Sequence, residues 1–191
     1  MSIIIDRLPE TVVIGDSEYE VNTDFRVSIL FQMMMEDKEL SNIEKAKTAL
    51  ELYYPEPIPR EHQTEALAQA FLFFKCGQEN EDRVSSGSGE GNQAIYSYEH
   101  DSHYIFAAFL EQYGIDLTEE DLHWWKFKAL FTSLSDNTKF NKIMSYRAVK
   151  ISSEMSKKEQ KFYRRMKLLY GLPDERSEEE KETEFAELLG F

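Results

Sequence analysis

At 191 residues, 41% of them apolar and 13% aromatic, the chain has enough apolar surface for one hydrophobic core and too little length for several domains. Its formal charge of −14 repels phosphate, which excludes a nucleic-acid footprint spread over the whole surface. No apolar run approaches the roughly 20 residues of a membrane-spanning helix.

The opening MSIIIDRLP has neither the basic start nor the long apolar core of a secretory signal. A single cysteine, Cys76, forbids an intrachain disulfide and fits a reducing cytosol. The expectation is a soluble intracellular protein. Cys76 sits in the apolar run AFLFFKCG and reads as an inert, buried thiol.

In chain order, the first elements are β. Residues 11–14 and 18–21 flank Gly15-Asp16-Ser17 as a hairpin, and residues 3–5 are a candidate third strand. Helices follow. Asp24 caps a helix to about residue 37. Ser41 with Glu44 forms a capping-box signature for a helix over 42–53. Pro55, Pro57 and Pro59 break the chain, and a third helix spans 60–76 with Gly77 as its stop. Met33, Met34 and Met35 form an adaptable apolar patch, suited to the core or to a binding groove.

The segment QENEDRVSSGSGEGNQ, residues 78–93, has no aromatic residue and reads as a flexible loop. It divides an N-terminal part, 1–77, from a helical part, 94–172, and the two are expected to pack as one domain. A fourth helix covers 101–113 and ends at Gly114. Thr118 with Asp121 marks the start of a fifth, which holds Trp124 and Trp125. A sixth covers 139–149. Ser156 with Glu159 opens a seventh that ends at Gly171. An acidic tail, 173–191, carries a last candidate helix over 177–189. The fold class is therefore mainly α: a bundle of about six to eight helices with a short N-terminal β-hairpin.

The two adjacent tryptophans pose a packing question, because successive helical residues point about 100° apart. On a helical wheel, Leu122, Trp125 and Ala129 form one apolar arc. Trp124, Phe127, Leu130, Phe131 and Leu134 form another. Such a helix is either central to the bundle or has one face for a partner. Trp124, Trp125, Phe127, Leu130 and Phe131, with Phe106 and Phe109 of the preceding helix, are thus candidates for core or for partner binding.

Catalytic patterns are lacking. His100-x-x-His103, beside Glu99 and Asp101, offers one pair of metal ligands and no second pair; its plainer reading is a polar helix start capped by Asp101. SSGSGEGN has no preceding strand and no following Lys-Thr pair, so it is not a phosphate loop. No nucleophile elbow is present. Glu119 and Glu120 suit the N-terminal dipole of the fifth helix. The chain reads as a non-enzyme without cofactor or metal. The basic stretch over 140–170, with Lys139 beside it, reads as a solvated helix face, or as a surface for self-association or for the acidic tail.

The segment from Tyr96 to Arg147 resembles the bacteriophage gene-product-15 family, small proteins of tailed phages and prophages of Gram-positive bacteria. The residues that carry the resemblance are Asp101, Ile105, Ala108, Phe109, Tyr113, Gly114, Ile115-Asp116-Leu117, Leu122-His123-Trp124-Trp125-Lys126-Phe127, Leu130, Phe140 and Tyr146-Arg147. The resemblance implies a place in a tail-morphogenesis gene set, between the tail-tube and tape-measure genes. Proteins so placed are typically tail assembly chaperones, which coat the tape-measure protein in the host cytoplasm and are absent from the finished virion. The implied partners are the tape-measure protein and other tail proteins, with a homo-oligomer open and with no nucleic acid or membrane. A minor structural tail or connector component is the alternative. The family brings no catalytic residue.

Overall fold

In the computed structural model, residues 3–78 and 94–173 are described. All but one residue of the expected 78–93 loop, and all but one of the 173–191 tail with its candidate helix, lie outside them.

The hairpin forms from β1 (Thr11–Ile14) and β2 (Ser17–Glu20), antiparallel, with Thr11 opposite Glu20 and Ile14 opposite Ser17. The loop is two residues rather than three. Gly15 holds φ +60° at its first position, where the twist of a tight hairpin calls for a left-handed residue. The third strand expected at residues 3–5 is not formed. That segment is a turn with Ile4 and Ile5 exposed, because three residues offer too few ladder bonds to hold a strand.

Seven α-helices follow among the described residues: α1 (Phe25–Glu36), α2 (Asn42–Tyr53), α3 (Gln63–Phe74), α4 (Ser102–Tyr113), α5 (Trp124–Thr132), α6 (Lys139–Ala148) and α7 (Lys157–Tyr170). The protein is mainly α with an N-terminal hairpin. Local chemistry sets most helix starts. Asp24 accepts from the Arg26 N–H at α1, and Thr138 caps α6. Ser41–Glu44 and Ser156–Glu159 close full capping boxes at α2 and α7. Gly114, at φ +67°, ends α4 in the left-handed conformation.

Two helix starts differ from expectation. The third helix begins as a 3-10 turn over Arg60–His62 before α3 proper. The fifth begins at Trp124, six residues after Thr118. Asp116 accepts from both the backbone N–H and the hydroxyl of Thr118, and this local turn outcompetes the helix. Glu119 and Glu120 are therefore exposed loop residues, not helix-dipole partners.

One hydrophobic cluster draws on both sides of the 79–93 gap. It joins Ile14, Phe31, Tyr53 and Phe73 to Tyr98, Phe109, Trp124, Phe127 and Phe140. Phe127 is central, with stacked rings of Phe25 at 4.7 Å, Phe109 at 5.1 Å and Trp124 at 5.8 Å. By contrast α7 contributes no buried residue. Among the described residues, no helix is long and apolar enough to cross a membrane.

The tryptophan helix and a candidate binding groove

The adjacent tryptophans straddle the C-terminus of α3. The Trp124 indole N–H donates to the Phe74 carbonyl at 2.8 Å, and that of Trp125 donates to the Phe73 carbonyl at 2.9 Å. The last carbonyls of a helix lack intrahelical donors, so the two rings close the end of α3 as a pair. The turn beyond α3 makes room for them. Cys76 and Gly77 take φ +55° and +74°, and the Gly77 N–H returns to the Leu72 carbonyl. A Cβ on Gly77 would lie 3.2 Å from the Trp125 ring, so glycine also permits the close approach.

His123 positions this pair. Its Nδ1 accepts from the Trp125 backbone N–H at 3.1 Å and caps α5. The other nitrogen, Nε2, must then carry the proton, and it donates to the Pro9 carbonyl at 3.0 Å. Burial holds the His123 pKa below the ordinary imidazole range, with Lys126 acting in the same direction; the bond to Pro9 and the charge of Glu10 oppose them. The starts of α1 and α5 are also stitched together. The Phe25 N–H donates to Leu122 and the Trp124 N–H to Thr23, forming an antiparallel bridge between Asp24 and His123. Arg26 adds bonds to the Leu117 and Glu120 carbonyls.

The candidate residues divide by burial. Trp124, Trp125, Phe127, Phe131 and Phe109 are buried, while Leu130 and Phe106 are half-buried. Trp124 and Trp125, one from each apolar arc, both meet the end of α3, Phe127 faces Phe25 of α1 and Phe109 of α4, and Ala129 of the Trp125 arc is exposed. His100 and His103 are exposed, and among the described residues no cluster of His, Cys, Asp and Glu is gathered in a metal-binding arrangement. Asp101 does not cap α4 with its side chain. It is buried and forms a two-pronged pair with Arg147, at 2.6 and 2.9 Å, because the guanidinium reaches it from α6. Cys76 is half-buried at the α3 terminus.

An open apolar groove lies elsewhere, along α2 where it faces the proline segment and α3. Ile43, Ala46, Leu50, Tyr54, Ile58 and Leu67 line a concavity of about 730 Å³. Ile43 is 83% exposed at its mouth. Tyr54 is anchored by donating to the Ala66 carbonyl, which ties the end of α2 to α3. A Lys47–Glu51 pair at 3.6 Å and Glu56 form a polar rim. The groove was not among the sequence candidates. Its signal was the apolar spacing Ile43, Ala46, Leu50 on a helix followed by three prolines, a stripe that α3 covers only in part.

No curated protein and no solved structure matches this chain. The family model described as bacteriophage Gp15 protein matches residues 4–172, nearly all of the structure described above. The chain therefore belongs to the bacteriophage Gp15 family.

Proposed function

We propose that this protein is a non-enzymatic tail assembly chaperone that binds the tape-measure protein in the host cytoplasm and leaves before the virion is complete. The observation that carries the reading is the open groove along α2, in a phage protein whose aromatic signature is already consumed by its own core. A tape-measure protein is long and helical, and an amphipathic helix laid in an apolar groove is the natural mode of capture. Exposed apolar surface offset by a high net charge suits a protein that must hold such a client in solution.

Ile43→Glu tests this directly. Ile43 is exposed, so the substitution leaves the fold and thermal midpoint unchanged. Burying one isoleucine on binding contributes about 1.5–3 kcal/mol, so the variant should hold the tape-measure protein at least about tenfold more weakly. Co-expression and pull-down with the tape-measure protein give the measurement. Wild-type protein that neither solubilises nor retains this client would sink the proposal. Recovery of the polypeptide from finished virions by mass spectrometry would favour a structural tail or connector role instead.

A further inference from the structure

Two exposed apolar faces of this chain carry complementary charge. The first is the outer side of α7. Its inner side, where Tyr163, Met166 and Tyr170 are half-buried, lies on α6; Tyr146 meets Tyr170 at 6.1 Å and Phe162, on the flank, at 5.9 Å. The Tyr170 carbonyl accepts from Arg147 Nε at 2.6 Å. On a wheel of α7 the side opposite these residues carries Lys158, Lys161 and Arg165, all exposed, and ends in Leu168 and Leu169, 88% and 62% exposed. Six cationic residues against one glutamate make α7 basic in a chain of net charge −14.

The second face is the groove along α2. Its apolar wall starts at the exposed Ile43 and runs through Leu50 to the proline segment. Lys47 on the rim is already paired with Glu51. At the proline end the groove reaches Glu56, which also lines an adjoining concavity with Glu18 and Glu20 of β2. The groove thus grades from apolar to acidic along α2, as α7 grades from basic to apolar. Their lengths agree: Lys158 to Leu169 spans about 16 Å of helix and Ile43 to Tyr53 about 15 Å, at roughly 1.5 Å per residue. We propose that α7 of a second copy docks in this groove, antiparallel to α2, with Leu168 and Leu169 over Ile43 and Leu50 and with Lys158 and Lys161 toward Glu56, Glu18 and Glu20. The two faces differ, so the contact is heterologous and passes from copy to copy unless the rotation closes a ring. It uses the same helix-in-groove mode as the proposed client, and the second copy is the occupant while no client is present.

Light scattering and sedimentation of the purified full-length chain, with no other phage protein, test the proposal. The mass should rise with concentration and fall with added salt, because the charges that meet are exposed. Leu168→Glu and Ile43→Glu both change exposed side chains. Each should weaken self-association at least about tenfold and leave the thermal midpoint unchanged. Mixing the two variants gives the sharpest result. Leu168→Glu keeps its groove and Ile43→Glu keeps its α7, so together they should form a heterodimer that grows no further. A wild-type chain that stays monomeric, association indifferent to salt or to either substitution, or a mixture without heterodimer overturns the proposal. Leu168→Glu still offers its groove to the tape-measure protein, so a pull-down with that variant tests the client reading separately.

Discussion

A histidine that caps a helix through Nδ1 works only while that nitrogen is unprotonated. His123 accepts from the Trp125 N–H and donates from Nε2, so its neutral form is built into the structure. Burial depresses its pKa below the unfolded value near 6.5. A depressed pKa means that the folded state binds the proton less readily than the unfolded chain. The stability His123 supplies is therefore complete above about pH 6.5 and is lost as pH falls through the folded pKa. At pH 7.5, His123→Ala should cost about 1–2 kcal/mol through the lost cap and the lost bond to Pro9. Urea unfolding of both proteins from pH 7.5 to 5 should show this gap narrowing; a constant gap would refute the neutral-cap assignment. The sequence pointed elsewhere, to Thr118 and Asp121, because they match a local capping template. His123 becomes a cap only when residues 23–25 pair with 122–124, and a contact across some 100 residues has no local signature.

Among the elements, α5 and α3 define each other. The wheel of α5 separates two apolar arcs, and the sequence leaves open whether one of them meets this chain or another. The structure puts the end of α3 against both tryptophans, whose indoles donate to carbonyls 50 and 52 residues away. Capping boxes, Gly114 and the proline break were legible because each acts within a few residues. Which helix end would need two indole donors was not. The two tryptophans are unequal in consequence. The Phe73 carbonyl also accepts from the Cys76 N–H, whereas Trp124 supplies the strong donor to the Phe74 carbonyl, to which the Cys76 thiol, at 3.9 Å, adds a weak contact. Trp124→Phe should therefore destabilise more than Trp125→Phe, by about 1 kcal/mol or more, since it removes that strong donor. Chemical denaturation of the two variants decides the order, and equal losses would show that ring volume alone matters.

At the scale of the molecule, a single core spans both sides of residues 79–93, and a buried ion pair fastens the α6 end beside the apolar packing of Phe140 and Ile143. Arg147 on α6 holds Asp101 in two prongs, the Ile95 carbonyl at 3.0 Å and the Tyr170 carbonyl at 2.6 Å. One guanidinium thus joins the segment before α4, the helix α6 and the end of α7. Asp101 and Arg147 both carry the family resemblance, but their 46-residue separation hid that they are partners, and Asp101 read as a cap. A buried pair adds little net stability over a well-packed apolar pair, yet breaking it strands a buried charge and costs about 3–5 kcal/mol. Asp101→Asn should therefore destabilise by about that amount, and Asp101→Leu with Arg147→Met by clearly less. The location of the loss is the sharper test. Because α7 buries no residue of its own, losing the Arg147 contact to Tyr170 should release α7 before the core opens. In Arg147→Met, amides of α7 should exchange faster than those of α3 and α5 under native conditions. Uniform acceleration across all three helices would mean that the clasp stabilises the whole core and that α7 has no separate equilibrium.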